Sequence, residues 1–224
     1  MRRNLPALFF VIATLVNWTG LYLGNDALAS AVKPSLMPLL AASVLVYALN
    51  RRMDGRKLAL LVSAELFGFA GDTLLMSNDF PLFAGGIGAF LIGHLCYMGI
   101  FGGEAWKKMP WPGWLMGLLV VAGSVFGLVK LLRVSGELLP PMAVYGFVLM
   151  MLVFSTFCGL VRRKNKGTWA LLFVGALFFA FSDCLIAAGN FGTIEFPLQG
   201  FVIMVTYVLA QVLLAVGALR LARK

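Results

Sequence analysis

Residues 197–219 read PLQGFVIMVTYVLAQVLLAVGAL, a stretch of 23 residues without a charged side chain. A helix that crosses a bilayer needs about 20 predominantly apolar residues, so this stretch is long enough to span the membrane. Arg220 follows it directly, as a basic residue often does at the cytoplasmic end of a transmembrane helix. The stretch predicts a membrane-spanning helix.

The rest of the chain repeats this pattern. Of the 224 residues, 61% are hydrophobic and 12% are charged, whereas soluble domains carry about 25% charged residues. The sequence predicts one all-α domain over residues 1–224, a polytopic transmembrane bundle of about eight helices. The predicted spans lie near 5–24, 34–50, 58–76, 81–103, 112–132, 138–161, 168–189 and 197–219.

The basic residues predict the orientation of this bundle. With the N-terminus in the cytoplasm, fifteen of the eighteen lysines and arginines fall in cytoplasmic loops or tails, and the exceptions are Lys33, Lys130 and Arg133. Because cytoplasmic loops are enriched in lysine and arginine, both termini are expected in the cytoplasm. The expected location is the inner membrane of a bacterium. The basic residues lie in short clusters between apolar runs, so the net charge of +9 does not predict nucleic-acid binding.

A faint internal repeat relates the third and seventh spans. Residues 66–76, LFGFAGDTLLM, share four identities with residues 177–187, LFFAFSDCLIA, and Asp72 aligns with Asp183. The offset of 111 residues makes span three equivalent to span seven. The chain would then consist of two four-helix repeats in the same orientation, which are called parallel repeats. The paired aspartates make this repeat relevant to function.

Four ionisable residues lie inside the predicted spans, away from their ends: Glu65, Asp72, His94 and Asp183. Ionisable groups are costly in hydrocarbon and commonly mark functional sites. Asp72 and Asp183 both lie roughly 22–25 Å from the cytoplasmic edge at 1.5 Å per residue, in the outer third of the membrane core. Lys33 begins span two at nearly the same depth, so these three charges are expected on one plane.

Three further polar residues belong to the candidate site. Tyr207 and Gln211 are one turn apart in span eight, and Tyr145 lies in span six. Side chains of this kind either line a polar pocket or hold helices together. No cysteine or second histidine lies at ligand spacing from His94, so the sequence predicts neither a metal site nor a cofactor.

The polar motifs occur in a recognisable order along the chain. They are KPSLMP at 33–38, GDTLL at 71–75, GHLCY at 93–97, SDCLI at 182–186 and TYVLAQ at 206–211. Together they resemble the YhhN-like lysoplasmalogenase family of eight-span membrane proteins, and the likeness extends from span two to span eight.

The resemblance implies a hydrolase that cleaves the vinyl ether bond of lysoplasmalogens with ethanolamine or choline head groups. The products would be a fatty aldehyde and a glycerophospho-base. It also implies that Lys33, Asp72, His94 and Asp183 belong to the functional pocket, whereas Glu65 matches no family motif. The expected partners are a lysophospholipid substrate and the lipid bilayer.

Vinyl ether hydrolysis needs an acid that protonates carbon and a carboxylate that stabilises the resulting cation. Asp72 and Asp183 could form such a pair, one protonated and one ionised, as paired carboxyls do in glycosidases. The sequence does not assign the two roles. It also leaves open whether Lys33 pairs with an aspartate or binds the lipid phosphate, and whether Glu65 lines the pocket or only packs. A proton-coupled transporter and a non-catalytic lipid-binding protein are the alternative functions.

Overall fold

The computed structural model describes residues 4–49, 51–77, 79–132, 136, 139–190 and 196–223. Helices account for most of this part of the chain. They are α1 (Leu5–Tyr22), α2 (Asp26–Val32), α3 (Leu36–Ala48), α4 (Gly55–Leu74), α5 (Phe80–Trp106), α6 (Trp111–Leu131), α7 (Leu139–Arg162), α8 (Lys166–Asn190) and α9 (Gln199–Ala222).

The predicted fold class is confirmed, because these helices form a polytopic transmembrane bundle. With residues 26–48 taken as one crossing, seven described helices are long and apolar enough to span a membrane. Helix α4 falls outside this group because it carries Arg56, Lys57, Glu65 and Asp72. Its 20 residues correspond to a length of about 30 Å, which matches the thickness of a bilayer core. The protein is therefore an integral, multi-pass membrane protein.

The second crossing begins earlier than the sequence predicts. Helix α2 starts at Asp26, eight residues before Pro34, because the Asn25 side chain accepts a 3.0 Å hydrogen bond from the backbone N–H of Leu28. Such a side-chain contact satisfies one of the free N–H groups of the first turn. A 3₁₀ turn over Lys33–Ser35 then separates α2 from α3. Lys33 thus lies within a continuous crossing, at the junction between its two helices.

Two close helix pairs position the polar residues of the bundle. A side-chain carbon at Gly71 of α4 would lie 2.7 Å from the ring of Phe90 on α5. A side-chain carbon at Gly217 of α9 would lie 2.6 Å from Leu172 on α8. Glycine at these two positions allows the backbones to approach, as small residues commonly do in membrane helices. Asp72 follows Gly71 directly, and its side chain contacts Lys33 and Tyr207 of α9.

Basic loops from different parts of the sequence meet at one end of the bundle. The backbone N–H of Asp54 donates to the Ala222 carbonyl at 2.7 Å, which joins the α3–α4 loop to the end of α9. Lys57 forms an ion pair with Glu104 and donates to the Leu221 carbonyl at 3.1 Å. Two arginines at the end of α7 reach the α5–α6 loop: Arg162 donates to Lys108 and Arg163, the next residue, to Lys107, each to the backbone carbonyl at 2.7 Å. These contacts define the basic end of the bundle.

Candidate active site

Asp72 is buried in α4 and contacts two groups from other segments. Its Oδ1 lies 3.7 Å from the Lys33 ammonium, and its Oδ2 accepts a 2.7 Å hydrogen bond from the Tyr207 hydroxyl. The Asp72 side chain is 6% exposed and that of Lys33 is 24% exposed. Burial disfavours the charged form of a carboxylate, whereas the adjacent cation and the hydroxyl donor favour it.

A chain of hydrogen bonds continues from Tyr207 toward the basic end. Gln211 donates to the Tyr207 hydroxyl at 3.2 Å, and the Tyr97 hydroxyl lies 3.1 Å from Gln211 Oε1 and 2.8 Å from Glu65 Oε1. A Cβ atom at Gly68 would lie only 3.0 Å from Gln211 Nε2, so glycine lets this amide approach α4. The chain therefore connects Glu65, in the interior, to Asp72.

Asp183 belongs to a second group of hydrogen-bonded side chains. The Tyr145 hydroxyl, from α7, donates to Asp183 Oδ2, and the same hydroxyl lies 3.1 Å from His94 Nε2. His94 is 1% exposed, whereas Asp183 is only partly buried. We refer to His94, Tyr145 and Asp183 as the relay.

The relay permits two arrangements of its protons. When Asp183 is ionised, Tyr145 donates to it and His94 Nε2–H donates to the tyrosine oxygen. When Asp183 is protonated, its hydroxyl can donate to Tyr145, which then donates to His94 Nε2. The same two contacts therefore accommodate Asp183 before and after it gives up a proton, with a neutral His94 protonated on Nε2 when Asp183 is ionised and on Nδ1 when Asp183 is protonated.

Aromatic rings separate the relay from the chain that contains Asp72. Phe179 meets the His94 ring edge-to-face at 4.6 Å between centroids and the Tyr207 ring at 5.5 Å, and Phe90 packs against Phe179 at 6.0 Å. Burial among these rings keeps water away, and electrostatic interactions are stronger where water is excluded.

A cavity of about 480 Å³ lies at the end of the bundle opposite the basic end. Lys33 lines this end cavity, together with the polar side chains Asn17, Ser30, Ser77 and Asn190 and the ring of Phe83. The cavity thus combines one cationic group with several neutral polar groups, a composition suited to a polar, anionic ligand.

Two central cavities, of about 40 and 50 Å³, adjoin Asp183 and Tyr145. The smaller one shares Leu75, Phe83 and Ile186 with the end cavity. The larger one shares Val125 and Val129 with a lateral groove of about 950 Å³ between α6 and α7. Apart from Lys130, this lateral groove is lined by apolar side chains. Asp183 therefore lies between a polar cavity and an apolar groove.

The eight residues singled out from the sequence occupy two kinds of position. Lys33, Tyr145 and Asp183 line these cavities, and their predicted contact with a ligand remains a prediction. The other five lie behind the cavity walls in buried contacts with other side chains: Glu65, Asp72, His94, Tyr207 and Gln211.

Two residues of this region are not among the site residues predicted from the sequence. Tyr97 bridges Glu65 and Gln211, and its position one turn after His94 on α5 could have identified it. Asn17 is a single amide in the apolar run of α1 and lines the end cavity. A lone buried amide in a membrane span is the signal that could have found it.

Comparison with known proteins identifies the family. The model of the YhhN family matches residues 28–218, which is most of the chain. The protein belongs to the YhhN family. The matched segment contains all eight candidate residues, but Asn17 lies outside it.

Several similar proteins carry the name lysoplasmalogenase. Human lysoplasmalogenase TMEM86B is 32% identical over 161 residues, which cover 72% of this chain and 64% of the human protein. Lysoplasmalogenase from Mycobacterium bovis is 30% identical over 172 residues, 75% of this chain and 62% of that protein. The chain thus spans slightly less than two thirds of the length of these relatives. No solved structure matches this YhhN protein.

Proposed function

We propose that this YhhN protein is a lysoplasmalogenase, a hydrolase that releases a fatty aldehyde from an alkenyl lysophospholipid. The position of Asp183 carries the proposal, because its carboxyl lies between the polar end cavity and the apolar lateral groove. A lysolipid has the same polarity along its length, with its vinyl ether between head group and tail. The names of the human and mycobacterial relatives support the same activity.

In this proposal Asp183 is the general acid. Its proton passes to the alkene carbon remote from the ether oxygen, and the π electrons of the double bond form the new C–H bond. Positive charge then develops on the carbon attached to oxygen. Water adds to that carbon and returns a proton to Asp183, as in glycosidases where one carboxyl serves as acid and then as base. The hemiacetal collapses to aldehyde and a glycerol hydroxyl, so one water is consumed.

Tyr145 and His94 form a hydrogen-bonded relay that accommodates Asp183 both when it donates its proton and when it takes one back. Because the relay accommodates either protonation state of Asp183, the proton can leave and return with a change of the His94 tautomer and without a rearrangement of the heavy atoms. A preorganised hydrogen-bond partner avoids the reorganisation that bulk water would require.

Asp72 supplies the ionised carboxylate of the pair. Its contact with Lys33 at 3.7 Å and its hydrogen bond from Tyr207 favour the charged form. Across the aromatic rings its negative charge stabilises the cation that forms beside Asp183. These contacts support the assignment that we propose for the two roles left open by the sequence.

We further propose that the basic end faces the cytoplasm of a bacterial inner membrane, with both termini on that side. The gathering of basic loops at one end supports this orientation, since positive loops are retained in the cytoplasm. A cysteine at exposed Arg220 should react with an impermeant maleimide only after cells are opened. Labelling of intact cells at this position, with a cysteine at exposed Asp79 unreactive, would reverse the orientation.

The activity is tested with purified protein in detergent and a lysoplasmalogen, with fatty aldehyde as the readout. We expect one aldehyde for each glycerophospho-base released. The matched lipid with a saturated alkyl ether cannot form the stabilised cation by protonation and should remain intact. If folded protein bound the alkenyl lipid without releasing aldehyde, a lipid-binding or transport function would replace the hydrolase.

A further inference from the structure

Asn17 has a buried hydrogen-bond acceptor that the fold leaves unused. Its Nδ2 donates to the carbonyl of Ala29 at 2.9 Å, which identifies the amide nitrogen and leaves Oδ1 as the remaining atom. Among the residues that the structure describes, this Oδ1 has no hydrogen-bond partner, although Asn17 is 1% exposed. An unpaired buried acceptor is unfavourable, so a ligand that donates to it gains affinity.

This amide lies in the wall of the end cavity, close to its cationic residue. The Ala29 carbonyl that accepts from Asn17 also accepts the backbone N–H of Lys33. Both side chains line the same cavity. The cavity is therefore lined by Lys33, which carries an ammonium group, and by Asn17, which carries an unpaired amide oxygen.

These two groups are complementary to a zwitterionic phosphoester. Lys33 attracts the phosphate, and Asn17 Oδ1 can accept an N–H from a primary ammonium group. A quaternary ammonium carries no N–H and would leave Oδ1 unpaired. Sites built around a specific hydrogen bond reject analogues that lack it far more strongly than sites that distinguish by shape.

We propose that the end cavity binds the head group of the substrate and that Asn17 selects a primary ammonium, as in phosphoethanolamine, over a quaternary one, as in phosphocholine. This inference rests on the proposed function for the identity of the lipid. It assigns to α1 a specificity role that lies outside the segment matched by the YhhN model.

A series of head groups tests this inference on the unmodified protein. Binding of saturated alkyl-ether lysolipids is measured with zero, one, two and three N-methyl groups, by displacement or by the shift in melting temperature. Because a dimethylammonium still donates one N–H, we expect the steepest loss, about tenfold or more, at the third methylation. An even decline over the series, or equal binding of all four lipids, would overturn the proposal.

The Asn17→Leu variant removes the acceptor while keeping a similar volume. It should weaken binding of the primary ammonium lipid about tenfold and leave the quaternary lipid within about twofold, so that the preference disappears. Thr14→Val is the matched control. Thr14 is buried on the same helix and its hydroxyl is also unpaired among the described residues, but it does not line the end cavity.

Failure of this inference can be distinguished from failure of the proposed function. The alkyl-ether lipids report binding without cleavage, so head-group selection is measured even if no aldehyde is ever released. Aldehyde release with no head-group preference would retain the hydrolase and remove the role of Asn17. Selective binding without aldehyde release would retain Asn17 and remove the hydrolase.

Discussion

Replacement of Asp183 by Asn is expected to lower kcat for aldehyde release by about a hundredfold or more, because general acid catalysis commonly contributes on that scale. The amide keeps the size of the side chain and can still accept a hydrogen bond from Tyr145, but it cannot give a proton to carbon. Folding should therefore be preserved while turnover is lost. Steady-state kinetics with a lysoplasmalogen, alongside a thermal melt in detergent, measure the two effects separately.

Asp79→Asn is the matched control for this substitution. Asp79 is an exposed aspartate that precedes α5, and in the described structure its carboxylate makes no hydrogen bond within the cap of that helix. Its replacement should leave kcat unchanged. Asp183→Asn with more than about a tenth of wild-type kcat would exclude Asp183 as the general acid.

The sequence predicts the bundle well because the membrane imposes a simple requirement on it. Each crossing must be long and apolar, and the eight predicted spans follow from this requirement. The start of the second crossing was harder to predict, because it depends on the capping contact between Asn25 and Leu28 rather than on hydropathy. Composition alone does not reveal that a helix begins before Pro34.

The depth of the charges could also be estimated from the sequence, but their partners could not. Counting residues from the basic loops brings Lys33 and Asp72 to one level, and the two side chains lie 3.7 Å apart. The same count brings Asp183 to that level, yet its carboxylate is bonded to Tyr145. Which face of α7 turns toward α8 depends on packing, and periodicity in a uniformly apolar helix does not define that face.

The sequence does not predict the unpaired acceptor of Asn17, for a different reason. An amide inside an apolar span is visible in the sequence, but whether its donor and acceptor atoms form hydrogen bonds depends on the atoms around it. Only the contact with the Ala29 carbonyl distinguishes the used nitrogen from the unused oxygen. Features of this kind require coordinates, because they concern single atoms rather than residues.

The contact between Lys33 and Asp72 leads to the second large effect, on stability. Lys33→Met is expected to lower the free energy of unfolding by about 1–3 kcal/mol, because it leaves a buried carboxylate without its cation. This is less than for a fully buried pair, since the Lys33 side chain is 24% exposed. Adding Asp72→Asn removes the unpaired carboxylate charge and should recover most of the lost free energy of unfolding. Reversible unfolding of the wild type, both single variants and the double variant gives the coupling energy.

Glu104→Gln is the comparison for an exposed pair. The Glu104 carboxylate pairs with Lys57 at the basic end, and the Glu104 side chain is 48% exposed. Exposed pairs of this kind contribute about 0–1 kcal/mol to the free energy of unfolding. Strictly additive effects of Lys33→Met and Asp72→Asn would show that the buried contact carries no coupling.

The double variant also separates stability from catalysis. Once Lys33 and Asp72 are both neutral, the bundle should unfold at nearly the wild-type denaturant concentration. Turnover should nevertheless stay low, because the negative charge of Asp72 no longer helps to stabilise the cation formed beside Asp183. In the single variant Lys33→Met, a raised KM at unchanged kcat would identify the lysine with phosphate binding, whereas a lowered kcat at unchanged KM would identify it with Asp72. The two readouts thus assign Lys33 to one partner during turnover.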